Sequence, residues 1–194
     1  MSPADSAGFR HFHEQLDQLK QRLLDMSERA EALVDLSVDA LLHRDAGKAD
    51  AVIDGDSEID SLEVEVEGLA VNLLALQQPM ARDLRFIISA IKISSDLERV
   101  GDHAVNIAQS TQRLVAMRSN ITPDPEVEDM ARRARHMLGD ALDAFVRGDG
   151  VLGRDVVKRD DQVDALHDSL SSASSSPTCS RIRRPSPPPS SSSS

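Results

Sequence analysis

Cysteine and aromatic residues are scarce in this sequence. Of its 194 residues none is Trp or Tyr, four are Phe and one is Cys. The lone Cys179 cannot form an intramolecular disulfide or a thiolate zinc site, which excludes a disulfide-stapled secreted fold and a zinc finger. We therefore expect the protein to work in the reducing cytoplasm.

Export signals, membrane spans and excess positive charge are also lacking. The N-terminus has no basic segment followed by an apolar one, and no stretch approaches the roughly 18 apolar residues of a membrane span. Asp and Glu number 33 against 22 Lys and Arg. Because this charge repels a phosphate backbone and few rings could stack on bases, we expect no direct nucleic-acid binding.

The composition changes abruptly near the C-terminus. Residues 169–194 include 13 Ser, five Pro and three Arg but no acidic residue. Residues 1–168 hold 19 basic and 33 acidic residues, a net charge of −14. A Ser/Pro tract cannot bury apolar surface, so we expect the tail to be disordered. We interpret it as a frameshifted or otherwise altered reading of the coding sequence, with an evolved linker as the alternative.

Apolar residues recur at helical spacing throughout residues 1–168, and no stretch alternates with period two for long enough to be a strand. In the first helix the apolar residues are three and four positions apart in alternation, which is the spacing along the seam of a helical bundle. These residues are Phe9, Phe12, Leu16, Leu19, Leu23, Met26, Ala30 and Leu33. The second helix has its seam at Val52, Ile59, Leu62, Val66, Leu69, Leu73 and Leu76. The third has its apolar residues at Leu84, Ile87, Ile91, Val105, Ala108 and Val115, and the fourth at Val127, Met130, Ala134, Met137, Ala141 and Phe145.

Turn-forming residues separate these helices. Gly and Asp favour chain reversal at residues 43–47 and 147–150, and Pro breaks the helix near residue 79 and again in the loop 119–125. A fifth helix follows residue 150 and is predicted to end at about Leu170.

An internal repeat relates the two halves of the sequence. A shift of 104 residues places Met26 on Met130, Asp45 on Asp149, and the block 56–62 on 160–166. Two related three-helix units are therefore implied, but the sixth helix would begin near residue 183, where the sequence is rich in Pro and Ser.

The predicted fold class is all-α: tandem three-helix bundles of up-down topology, the second lacking its last helix. We expect a first repeat over residues 1–118, a partial second repeat over 119–170 and a tail over 171–194. The incomplete second bundle should leave apolar surface exposed at Val151, Leu152, Val156, Val157, Val163 and Leu166.

Carboxylates at a spacing of four are the candidate chemistry. The pairs are Asp56 and Asp60, Glu98 and Asp102, and Asp160 and Asp164. Two acids one helical turn apart repel each other, and a bound cation would reverse that effect. Oxygen ligands suit Mg, Ca, Mn or Fe.

The third helix gives the stronger of these signals. Continuing its seam by threes and fours places Glu98 and Asp102 toward the apolar core. Unpaired buried carboxylates are costly, so these two should bind metal, take up protons or meet a base such as Arg99 or Lys92.

Other interpretations of the acidic and histidine residues remain open. Asp56, Asp60, Glu63 and Glu67 could form an ordinary solvated face of the second helix. His43 and His103 are more typical of surface residues than of metal ligands.

Patterns for catalysis are missing from the sequence. It contains no Gly-rich phosphate loop, no G-x-S-x-G motif and no Cys/His nucleophile pair. We therefore expect a binding and signalling module rather than an enzyme. A metal-dependent hydrolase or oxidase on a carboxylate bundle is the alternative, although the Glu-x-x-His pairs of di-iron bundles are lacking. A purely structural helical adaptor is a third possibility.

Two motifs carry a resemblance to a known family. Residues 80–85, Met-Ala-Arg-Asp-Leu-Arg, and 97–102, Leu-Glu-Arg-Val-Gly-Asp, resemble the signature helix of the PhoU proteins, the phosphate-transport accessory regulators. The likeness extends over residues 9–170 and includes the segments 12–16 and 52–63.

The resemblance implies two three-helix bundles whose acidic motifs hold iron, or else Mn, Mg or Zn, in clusters on the bundle surface. Asp56, Asp60, Glu98 and Asp102 would form one site. Asp160 and Asp164 would supply half of a second site, whose other half belongs to the missing sixth helix.

The resemblance also implies a role and partners. Such a protein is a cytoplasmic homodimer that keeps the phosphate-starvation response off and limits phosphate uptake when phosphate is plentiful. Its partners would be the ATPase subunit of the high-affinity phosphate ABC transporter and a sensor histidine kinase. It would reach the membrane only peripherally, through these partners.

Overall fold

A computed structural model describes residues 3–77, 79–118 and 126–174. It contains five helices: α1 (Pro3–His43), α2 (Ala46–Gln77), α3 (Ala81–Ala116), α4 (Glu126–Arg147) and α5 (Gly150–Ser174). These ranges contain no strand, which confirms the all-α prediction. None of these helices combines the length and the apolarity needed to cross a membrane.

The first three helices pack against one another as a bundle. Each of α1, α2 and α3 contacts the other two. The predicted seam of α1 is buried from Phe12 to Leu33, and Leu19, Leu23 and Met26 are completely enclosed. The seam of α2 is confirmed at Val52, Ile59, Val66 and Leu73, all of them fully buried. Phe9 and Leu76 lie outside the residues whose side chains the structure describes.

The predicted seam of α3 is confirmed at Ile87 and Ala108, but the other residues in its core face are not those predicted. Its buried residues are Ile87, Ala90, Ser94, Leu97, Gly101, Ala104, Ala108 and Thr111. Glu98 lies half-buried at the edge of this face and Asp102 is exposed, so the prediction that both point toward the core is wrong. The cause is the identity of the core residues: small and hydroxylated side chains occupy the seam, and Ser94 and Thr111 bond carbonyls of their own helix.

The turn between α1 and α2 is repeated between α4 and α5. Each turn contains one residue with a left-handed backbone, Arg44 (φ 55°) in the first and Gly148 (φ 69°) in the second, and the two are 104 positions apart. In each turn the N–H of the next residue, Asp45 or Asp149, donates to the carbonyl five residues earlier, at 2.9 and 2.8 Å. This is the Schellman ending of a helix, and its exact repetition supports the internal repeat.

Each of these turns also caps the helix that follows. The Asp45 carboxylate accepts the Lys48 N–H at 3.1 Å, and the Asp149 carboxylate accepts the N–H groups of Val151 and Leu152 at 2.8 and 3.1 Å. These backbone hydrogen bonds lower the pKa of Asp149. The two aspartates that the repeat superimposes therefore have the same structural role.

Helices α4 and α5 form a hairpin that is joined to the bundle through α4. Helix α4 packs against α1, and α5 packs against α4 alone among the described helices. The Phe86 and Phe145 rings stack at 4.8 Å between centroids and hold the end of α4 against α3. Helix α5 reaches Ser174, four residues beyond the predicted end at Leu170.

The apolar face predicted for α4 is only partly covered. Ala134 and Ala141 are exposed, whereas their counterparts in the repeat, Ala30 and Ser37, are completely buried. Leu142 and Ala144 are the buried residues of the helix. In the first bundle α3 covers the corresponding face, and the sixth helix that would do so here was predicted on residues outside the described ranges.

On α5 the expected exposure is observed at two positions, Val151 and Val157, which are 71% and 69% exposed. Leu152, Val156 and Val163 are half-buried, while the side chain of Leu166 falls outside the description.

Replacing glycine by alanine should have opposite effects on stability in the left-handed turn before α5 and within α2. Gly148→Ala should lower the free energy of unfolding by about 1 kcal/mol, because an L side chain is strained at positive φ. Gly68→Ala should raise it by about 0.5–1 kcal/mol, because this glycine lies in α2 with open space around its Cβ position. Urea denaturation of both variants measures the two changes, and equal signs would contradict the assigned backbone geometry.

Candidate metal centre

The first two predicted carboxylate pairs lie on neighbouring helices and interact with each other. Asp56 and Asp60 are on α2, and Glu98 and Asp102 are on α3. Burial raises the pKa of Glu98, and the charges of Asp102, Glu63, Asp60 and Asp56 raise it further. The structure thus brings all four predicted residues into one group with Glu63, which we call the α2–α3 acidic cluster.

Glu63 belongs to the cluster although the sequence placed it on a possible solvated face. Its pKa is raised by burial first and then by the charges of Glu67 and Asp60, while a hydrogen bond from Ser95 opposes the rise. Ser95 is a residue of α3, so Glu63 reaches across to the neighbouring helix. One signal for Glu63 was available in the sequence, its spacing of three residues from Asp60. The sequence did not show that α3 packs beside it.

A glycine brings the two halves of the cluster together. A Cβ atom at Gly101 would lie 2.9 Å from Cδ1 of Ile59 and 3.1 Å from Oδ1 of Asp56. Any larger residue would force α2 and α3 apart or displace these side chains. The Asp56 carboxyl therefore lies directly against α3, where burial and then the charges of Asp60 and Asp102 raise its pKa.

Basic residues do not neutralise the four predicted ligands. Arg99, a candidate partner, lies 3.8 Å from Asp96 instead. Across the described ranges, no Lys, Arg or His forms an ion pair with Asp56, Asp60, Glu98 or Asp102. The cluster therefore carries uncompensated negative charge.

The donor chemistry of the cluster fits a hard or borderline cation, since it offers carboxylate oxygens without a competing ion pair. Within the part of the chain that the structure describes, no three acidic, His or Cys side chains converge closely enough to hold an ion together. Asp60 and Asp102 are exposed, so their side chains have room to reorient toward a shared ion.

The third pair lies apart from this cluster. Asp160 and Asp164 are exposed on α5. Asp160 lies at the edge of a cavity of about 340 Å³ with a mainly apolar lining from α1, α3, α4 and α5. None of the charges that raise the pKa values of Asp56, Glu63 and Glu98 comes from α5. Its expected partner pair lies outside the described residues.

Neither histidine considered in the sequence adds to the cluster's interactions. His43 lies at the end of α1, where its Nδ1 is 3.0 Å from Oδ1 of Asp39. His103 is exposed on α3, and no contribution from it shifts the pKa values of the cluster.

Comparison with known proteins gives matches across both repeats. A family model described as PhoU domain matches residues 23–111 and 127–181. The phosphate-specific transport system accessory protein PhoU homolog of Aquifex aeolicus is 35% identical over 156 residues, which cover 80% of this chain and 70% of that protein. The homolog of the same name from Clostridium acetobutylicum is 38% identical over 157 residues, 80% of this chain and 71% of that protein.

Solved structures show the same likeness. The crystal structure of the phosphate transport system regulatory protein PhoU from Streptococcus pneumoniae superimposes with a TM-score of 0.77 at 30% identity, covering 84% of this chain and 76% of that one. The PhoU structure from Pseudomonas aeruginosa gives a TM-score of 0.76 at 34% identity, covering 81% and 76% of the two chains.

The raised pKa of Glu98 predicts a pH-dependent stability. With a folded-state pKa above the ordinary 4.5, the folded protein holds more protons than the unfolded chain just above that pH, so stability falls as pH rises through this window. Glu98→Gln should therefore raise the urea midpoint of the metal-free protein at pH 7, and the gain should vanish at about pH 3, where Glu98 is protonated in both the folded and the unfolded protein.

The matched control is Asp96→Asn, which removes an exposed carboxylate from the same helix outside the cluster. It should give no gain at pH 7. A gain for Glu98→Gln that persists at low pH would contradict burial of the charged carboxylate, together with repulsion from its acidic neighbours, as the cause.

Proposed function

Since the chain belongs to the PhoU family, we propose that it is an accessory regulator of phosphate transport. The observation that carries this proposal is the identity of 35% and 38% with two relatives named for that role, over 80% of this chain. The finer proposal is that the protein restrains phosphate uptake and the phosphate-starvation response. It would do so in the cytoplasm by linking the transporter's ATPase subunit to a sensor histidine kinase.

A regulator of this kind needs a surface for its partners, and the first bundle offers one. Val64 and Val71 on α2 are 68% and 57% exposed, and Leu84 and Ile88 on α3 are also exposed. The two helices are neighbours. Exposed apolar side chains on adjacent helices are typical of protein interaction sites. We call these four residues the α2–α3 apolar face and assign it to partner binding.

A homodimer is the second part of the proposal. The hairpin of α4 and α5 exposes Ala134, Ala141, Val151 and Val157. A second copy of the chain packed against this hairpin would bury these residues, as α3 buries the corresponding face of the first bundle. This assembly would leave the α2–α3 apolar face open for other proteins.

The acidic cluster is the proposed metal site, with iron as the first candidate and Mn, Mg or Zn as alternatives. The ligands would be Asp56, Asp60, Glu98 and Asp102. Glu63, whose charge also raises the pKa of Glu98, would contribute to the same site. A bound cation would offset the repulsion between these carboxylates and stabilise the contact of α2 with α3. The second candidate function, a metal-dependent hydrolase or oxidase, has no such supporting observation.

Removal of a single ligand should lower the bound metal without unfolding the protein. Glu98→Gln and Asp102→Asn should each reduce the iron or manganese retained after loading and desalting, measured by elemental analysis, while the circular dichroism spectrum stays helical. The matched control Asp96→Asn should retain the metal of the unchanged protein. Unchanged metal content in both ligand variants would overturn the assignment.

Partner binding should depend on the α2–α3 apolar face. The double variant Val71→Asp with Ile88→Asp should lose co-purification with the transporter's ATPase subunit, because two exposed apolar contacts become charged. Val157→Asp, a change of equal chemistry on α5, should keep it. No binding by the unchanged chain to either the ATPase subunit or the kinase would contradict the regulatory role, whereas binding by the double variant would contradict only the chosen surface.

A further inference from the structure

One end of the molecule has a second cavity, remote from the acidic cluster. It measures about 420 Å³ and lies between α1, the start of α3 and the end of α4. Its apolar lining comes from Leu16, Phe86, Phe145 and Val146. The stacked rings of Phe86 and Phe145 form the apolar floor of the cavity. The volume falls within the roughly 300–1,000 Å³ of small-molecule sites.

Positive charge surrounds this cavity in a chain whose net charge is −11. The basic lining residues are Lys20, Arg82, Arg85 and Arg147, and the lining also includes one carboxylate, Asp83, and His13. Such a reversal of sign over a cavity concentrates anions there.

The four basic residues differ in whether a carboxylate forms an ion pair with them. Lys20 pairs with Asp17 at 2.7 Å, and Arg147 pairs with Asp143 at 3.0 Å. Arg82 and Arg85, by contrast, form no ion pair among the residues that the structure describes. They are three residues apart on α3 and so share one face of the helix. An anion could bind to both without breaking an existing ion pair.

The N-terminus of α3 adds to the positive electrostatic potential at this cavity. The helix begins after Met80, whose side chain makes no capping hydrogen bond. The first hydrogen bond of the helix runs from the Leu84 N–H to the Met80 carbonyl at 2.9 Å. The preceding N–H groups, from Ala81 to Asp83, therefore have no acceptor within the helix, and the positive end of its dipole lies beside the two arginines.

We propose that this cavity binds a small organic phosphate. Arg82, Arg85 and the first turn of α3 hold the phosphate, since guanidinium groups and helix N-termini are the donors that recognise this dianion. The floor of Phe86 and Phe145 holds the apolar part of the ligand. An organic phosphate is favoured over the inorganic ion because the cavity adds apolar surface and a volume of about 420 Å³ to the cationic rim.

The proposed ligand site is separate from the proposed metal site. Arg85 and Glu98 are thirteen positions apart on α3, which is about 20 Å along the helix axis. Calorimetric titrations of the metal-free full chain with phenyl phosphate therefore test it separately. Phenyl phosphate should bind, and inorganic phosphate should bind at least about tenfold more weakly, since it cannot use the apolar floor.

Two sets of variants test the assigned contacts. Arg82→Gln with Arg85→Gln should lower the affinity for phenyl phosphate by about tenfold or more. Arg99→Gln with Arg113→Gln, which removes the same charge from exposed positions of the same helix, should leave the affinity unchanged. Phe145→Leu should weaken phenyl phosphate but not inorganic phosphate.

The proposal is overturned if phenyl phosphate does not bind, if the two arginine pairs have equal effects, or if inorganic phosphate binds as tightly as phenyl phosphate. Asp102→Asn serves as a separate check on independence and should leave this affinity unchanged. Loss of affinity in that variant would show that the two sites are not separate and would also overturn the proposal.

Discussion

The burial of one face of α1 is the constraint on which the other helices depend. This 41-residue helix contacts α2, α3 and α4. Its seam from Phe12 to Leu33 passes through both hydrophobic clusters of the core. Polar substitution along that seam would weaken every one of these interfaces together, because the helices packed on it share its side chains. The acidic cluster and the cavity lined by Arg82 and Arg85 both depend on α1, since this helix fixes where α2, α3 and α4 lie.

Sequence patterns were most informative where large apolar residues form a seam and turns contain distinctive residues. The seams of α1 and α2 and the repeated turn could be predicted for this reason. The core face of α3 was predicted only in part, because its core positions include Ser94, Gly101 and Thr111, which hydrophobic periodicity does not mark. For the same reason Leu97, and not Glu98, faces the interior.

The candidate site was predictable within each helix but not between helices. The spacing of four residues predicts the pair Asp56 and Asp60 and the pair Glu98 and Asp102. The two pairs come together because α2 and α3 approach closely at Gly101. The participation of Glu63 requires that same register. The basic cavity gave no signal in the sequence, because α1, α3 and α4 contribute its lining from distant positions. The pair Asp160 and Asp164 stays a prediction.

The attachment of α5 through a single neighbour has a consequence for dynamics. Of the described helices, α1, α2 and α3 support one another on two sides, while α5 packs only on α4. Local opening of α5 would disrupt that one interface and leave the three-helix core closed. Amide protons of α5 would then exchange with solvent through this local opening, and those in the buried part of α1 would exchange more slowly. Among the described helices, α5 is therefore the one that can open with the loss of a single helix–helix interface.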